Sequence, residues 1–203
     1  TGELPVNVRF VIEGEEEIGS ENLGKFLQAY KHMLPADFIV LSDTANFDTG
    51  IPALTYQLRG ICSIDVTVQT IAQPVHSGMW GGPVPDPVQV MCTLIASLQG
   101  KKGEIAVPGL YKQVAKTGKT QLQRIRKLPF NEAKFKREAR MMKGMKLAGE
   151  RGYSVYEQLW TRPSLVVIAF DARPIKGSSN QIIDHVTARL SLRTVPNMDG
   201  RAA

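Results

Sequence analysis

The segment FVIEGEEEIGSENL, Phe10 to Leu23, joins an apolar run to a dense set of acids. With Val6 and Val8 before it, the run Phe10, Val11, Ile12 predicts a buried strand of a parallel sheet. Four carboxylates follow, Glu13, Glu15, Glu16 and Glu17. Gly19-Ser20 then turns the chain, and Ser20 is placed to cap a helix bearing Leu23, Phe26, Leu27 and Tyr30. Several acids therefore stand where a strand ends and a helix begins, the edge at which open α/β sheets bind ligands. Crowded carboxylates raise one another's pKa. A cation removes that cost, and so does plain exposure to water; acids in a first helical turn also complement the helix dipole.

The same edge recurs one unit later. Pro35 breaks the helical pattern, and Asp37 to Leu41 predicts a short strand with Ser42-Asp43 at its carboxyl end. If the two strands run parallel, Asp43 falls on the rim that carries the glutamates. The plainer alternative is a turn with an Asx cap.

From Ile61 the pattern changes. Ile64, Val66 and Val68 alternate with Asp65, Thr67 and Gln69, which predicts a half-exposed strand of an antiparallel sheet and a second domain starting near Arg59-Gly60. PVHSGMWGGPVPDP, residues 74–87, predicts a Gly/Pro-rich loop with a single histidine, His76, flanked by residues that let a ligand or backbone come close. A lone loop histidine is most often ordinary surface. Asp86-Pro87 then opens a helix with a cap and a first-position proline, with Met91, Leu94, Ile95 and Leu98 as its buried stripe and Gly100 at its end. Asn131 caps a further helix whose Phe135, Ala139, Met142 and Met145 face inward, with Gly149 and Gly152 closing it. Leu165–Phe170 and the alternating Val186, Ala188, Leu190, Leu192 predict two more strands, joined through the polar loop Gly177-Ser-Ser-Asn180. The order β–α–long insert–β–β is that of a two-layer α+β sandwich awaiting a further helix and strand.

The chain has 203 residues, 43% hydrophobic and 22% charged, an ordinary globular balance with room for one large or two small cores. No apolar run is long enough for a membrane-spanning helix, and no signal peptide opens the sequence, so cytoplasm is the default expectation. Cys62 and Cys92 lie in apolar contexts and read as buried free thiols. Net charge is +6, concentrated in residues 101–151, where fifteen Lys or Arg face four Glu. That stretch has few interleaved aromatics and no nucleic-acid recognition motif, so a solvated helical face is the favoured reading. The sequence starts without Met, directly before a strand, and stops just after one, as a piece of a longer protein would.

Five stretches in order carry a resemblance: EGEEEIGS, Ser42-Asp43, PVHSGMWGG, TRPS at 161–164, and SSN running on to RLSLRTVPN at 178–197. Together they resemble the co-catalytic di-zinc metallopeptidases that include carnosinase, bacterial Xaa-dipeptidases, succinyl-diaminopimelate desuccinylase and carboxypeptidase G. VPGLY at 107–111 and LPFNEAKF further on are most similar to the dipeptidase and carnosinase branch. The resemblance implies an α/β fold. Residues 1–59 would be a slice of a catalytic (phosphorylase/hydrolase-like) domain. Residues 60–203 would be an α+β lid and dimerisation domain with an antiparallel sheet, a basic helical insert at about 101–163, and a last helix and strand missing.

It also implies roles. Glu16 would be the general base that takes a proton from a metal-bridging water. Glu17 and Asp43 would each ligate one of two divalent ions, Zn or else Mn or Co. His76 would reach the partner subunit's site and steady an oxyanion. Asn180 would contact the substrate, and Arg193 would hold its terminal carboxylate. The partners implied are a small peptide and a second copy of the chain, with no nucleic acid and no membrane. The family's His-x-Asp motif, bridging Asp and late His have no counterpart, because His32, His76 and His185 stand in other contexts. The expectation is therefore that a longer parent hydrolyses dipeptides or related amides, while this chain alone holds no metal and is inactive. An N-acyl-amino-acid deacylase of the same family, or a lid that only dimerises, are the alternatives.

Overall fold

The computed structural model describes residues 2–41 and 46–201. The chain divides into two compact units, Thr1–Leu54 and Thr55–Ala203.

In the first unit a single turn of 3-10 helix, Glu16–Ile18, precedes helix α1, Leu23–Tyr30. The expected strand at Val6–Ile12 is not formed, nor is the one at Asp37–Leu41. Their apolar side chains lie open to solvent, Ile12 at 94%. A strand is made by the neighbour that accepts its hydrogen bonds. Among the described residues of this unit the one such pairing is the isolated Asp48–Ile51 bridge. Ser20 is not the cap of α1 either. It takes a left-handed φ of 53° after Gly19 at 98°, and Asn22 occupies the cap position. The Glu15 carboxylate instead accepts from the Asn22 side-chain amide at 3.0 Å and from its backbone N–H at 3.3 Å.

The second unit is built on strand β1, Gly60–Gln69. A two-residue strand β2, Val75–His76, runs into the short helix α2, Ser77–Trp80. The segment expected to be a plain loop thus holds two elements. Helix α3 spans Pro87–Ser97 and is capped as anticipated: Asp86 Oδ1 accepts from Val88 N at 2.7 Å and from Gln89 N at 3.2 Å, with Pro87 in the first turn. The insert contributes α4, Lys119–Arg126, α5, Glu132–Glu138, and α6, Val155–Thr161. Strand β3, Ser164–Asp171, strand β4, Gln181–Ile182, and strand β5, His185–Thr194, complete the unit.

β1, β5 and β3 form one antiparallel sheet in that order, with β5 central. The alternation along β1 and β5 sets its faces. Val186 and Ala188 are fully buried against Met91 of α3, with Val66 and Val68 beside them. Leu192 packs on Ile105 and Leu110, with Cys62 and Leu165 at the margin. The opposite face is polar: Asp65 and Arg189 pair bidentately across β1 and β5 at 2.6 and 2.7 Å, and Thr67 bonds Thr187 at 2.8 Å. The motif VPGLY serves packing. Gly109 turns the chain at φ 87°, Leu110 is buried, and the Tyr111 hydroxyl accepts from Ile105 N at 2.9 Å.

Asn131 caps α5 through Lys134 N at 2.9 Å, but the helix stops at Glu138. Arg140 then adopts a φ of 51°, so the periodicity running to Met145 is broken. Met142 and Met145 are 78% and 58% exposed instead of filling a core. Cys92 is likewise exposed; both cysteines are free thiols.

Candidate functional site

The structure gathers the expected site residues of the second unit into two places. At the first, β2 and β4 pair as a two-stranded ribbon with His76 opposite Gln181. Ser77 follows at once, and its backbone N–H and its hydroxyl both donate to the Asn180 carbonyl, at 2.9 and 3.1 Å. His76 and Asn180 are therefore held side by side. His76 is also the N-cap of α2, its Nδ1 accepting from Gly78 N at 3.1 Å. The ring is exposed, and Nδ1 is the nitrogen already engaged. Asn180 is exposed too and contributes its main chain to the clamp.

At the second place, Arg193 lies on the solvent face of β5, directly across from Ile61 on one side and Ser164 on the other. Just before β1, Arg59 extends its Nη1 to the hydroxyl of Ser164, the residue across from Arg193. Burial first, and the Arg193 guanidinium second, bring the Arg59 pKa below its ordinary value. Among the described residues no carboxylate pairs with either arginine. Two cations brought together without an acid are arranged for an incoming anion. In the sequence Arg59 marks only a domain boundary, and nothing in the motifs links it to Arg193.

The two places stand at opposite ends of the sheet. The ribbon leaves it next to the Gln69–His185 pairing, whereas Arg193 lies beside the Gly60–Thr194 pairing. Eight residue steps along β5 lead from His185 to Arg193, about 27 Å at the rise of an antiparallel strand. The ribbon packs chiefly on α2.

In the first unit Glu16 and Glu17 sit in the 3-10 turn and are exposed. Asp43 lies outside the described residues. Among the described residues no three His, Cys, Asp or Glu gather as a metal site. Glu17 alone does not supply the donor set that a divalent ion requires.

A family model described as the peptidase dimerisation domain matches residues 56–203. The chain belongs to the M20 peptidase family, in its dipeptidase and carnosinase branch. It is 32% identical over 193 residues to a cysteinylglycine-S-conjugate dipeptidase of Corynebacterium striatum, covering 95% of this chain and 40% of that protein. It is 30% identical to the human Beta-Ala-His dipeptidase, over 97% of this chain and 39% of that one. The crystal structure of human carnosine dipeptidase 1 superposes with a TM-score of 0.75 at 29% identity, covering 98% of this M20 chain and 42% of the other. The M20 chain thus spans about two fifths of the length of these relatives, and it is related to the metallodipeptidases among them.

Proposed function

We propose that this M20 chain is part of a longer dipeptidase whose active site is shared between two copies. In this reading residues 1–59 belong to the catalytic domain and residues 60–203 form the lid through which the copies pair. The observation that carries it is that the ribbon bearing His76 leaves the sheet at the Gln69–His185 end while Arg193 lies at the Gly60–Thr194 end. A dipeptide spans about 7 Å, far less than the length of strand between them, so one substrate does not meet both from a single protomer. Arg193, with Arg59 beside it, holds the terminal carboxylate of one substrate. His76, carried out on the ribbon, donates from Nε2 to the carbonyl oxygen in the partner's site as charge develops there. Asn180, clamped next to His76, offers its amide to the same substrate. Glu16 takes a proton from the attacking water and returns it to the leaving amine nitrogen. Two divalent cations, Zn or else Mn or Co, belong to the longer protein, and they need donors beyond those the described residues supply. This chain on its own is then inactive.

Complementation between inactive full-length variants tests the shared site. Dimers of His76→Ala and of Arg193→Ala are each expected to lose most dipeptide turnover. Mixed and allowed to exchange, they form a heterodimer in which one site has both side chains, and activity returns. No recovery, with exchange shown by mass, overturns the reading. Glu16→Gln is expected to abolish turnover while the protein stays folded.

A further inference from the structure

His76 occupies an N-cap, a position normally held by Ser, Thr, Asp or Asn because a side-chain oxygen there accepts a backbone N–H. An imidazole does the same work only through an unprotonated nitrogen. In this structure that nitrogen is Nδ1, 3.1 Å from Gly78 N. A neutral imidazole carries one N–H, so a ring that accepts at Nδ1 has its proton on Nε2.

Residue 78 is also shaped for this contact. A Cβ at Gly78 would stand 3.0 Å from His76 Cε1 and 3.2 Å from Nδ1, closer than side chains ordinarily sit, so the ring would have to shift. The backbone under the ring is pinned on both sides. β2 pairs with β4, Ser77 is tied twice to the Asn180 carbonyl, and Gly81 N donates to the Ser77 carbonyl at 2.8 Å. Gly81 must lack a side chain as well, because its Cβ would collide with that same carbonyl.

We infer that Gly78 is a positioning residue: its N–H and its missing side chain together lock His76 as an Nε2–H donor aimed away from the helix at a ligand oxygen gaining negative charge. The ligand part of this inference rests on the role proposed above for His76; the tautomer part stands by itself. A histidine free to exchange tautomers presents a lone pair instead of a proton for part of the time, and a lone pair repels an oxyanion.

The test is long-range ¹H–¹⁵N correlation of ¹⁵N-histidine-labelled chain at a pH of about 8.5, above the ordinary imidazole range, with His76→Asn used to assign the signal. The expected spectrum shows His76 with a pyrrole-type Nε2 and a pyridine-type Nδ1. Either the reverse pattern or two averaged intermediate shifts overturns the inference. In Gly78→Ala the His76 shifts are expected to move toward the average while His32 and His185 stay put. In the full-length enzyme the same variant is expected to lower kcat roughly tenfold or more, with KM little changed. An unchanged His76 spectrum in a folded Gly78→Ala chain also overturns it. Loss of the complementation result with the tautomer intact removes only the proposed function.

Discussion

His76 does two things at once, closing a helix end with one nitrogen and leaving the other in solvent. The two are separable by substitution. Asparagine is a good N-cap but has no second donor in the same place. His76→Asn is therefore expected to change unfolding free energy by no more than about 0.5 kcal/mol, measured in urea, while full-length turnover drops about a hundredfold or more. Arg59 makes a companion case. Removing it takes away the cation beside Arg193, so Arg59→Met is expected to raise KM roughly tenfold for a dipeptide with a free carboxylate. The matching dipeptide amide should show little change. Equal losses for both substrates would place Arg59 in the scaffold instead. Motif resemblance points to His76 and Arg193 but not to Arg59: only its hydrogen bond to Ser164, the residue across from Arg193, shows what it accompanies.

Two helices of the insert, α5 and α6, begin on side-chain caps. Ser154 and Glu157 form a capping box at the start of α6, and Glu157, only 2% exposed, also takes Arg126 at 2.8 Å. Burial pushes the Glu157 pKa up, but the Ser154 backbone and hydroxyl bonds and Arg126 together outweigh it and bring it below the ordinary value. With the folded value below the unfolded one, this stabilisation is complete above the usual glutamate range near 4.3 and is lost as pH falls through the depressed value. Glu157→Gln is expected to cost about 2 kcal/mol at neutral pH and to flatten the acid limb of stability against pH. A curve still parallel to the unsubstituted chain below pH 4 would show that Glu157 is not its source. The Ser-x-x-Glu signature is plain in the sequence, and the caps at Asp86-Pro87 and Asn131 form as the sequence predicts because each acts on its own neighbours. Ser20 was misread because an acid five residues away in sequence, Glu15, reached Asn22 instead. Met142 and Met145 were misread because a single left-handed residue, Arg140, ends the periodicity that periodic spacing alone cannot see ending.

Across the molecule, what was legible depended on where the partners lie. β1 and β5 find each other within this chain, so their alternation translated directly into a buried and a polar face. The apolar run at Val6–Ile12 has no strand beside it among the described residues, and an apolar pattern cannot by itself supply the hydrogen bonds of a sheet. The same reasoning draws attention to β3, an outer strand with Val166, Ile168 and Phe170 exposed. Bare apolar edges invite pairing with another strand. Under the proposed pairing of copies, Ile168→Lys is expected to lower the dimer fraction in sedimentation at micromolar concentration, and an unaltered profile would move the proposed contact elsewhere. The ribbon that carries His76 meets the sheet where Thr70 N donates to the Asp184 carbonyl at 3.1 Å and otherwise satisfies its own bonds. Mounted this way it works as a boom on a short pivot. Adding or deleting residues in the links at 71–74 and 183–184 would re-aim its tip without disturbing a single contact of Met91, Val186 or Ala188, so the reach of this arm can drift from one relative to another while the platform that bears it stays the same.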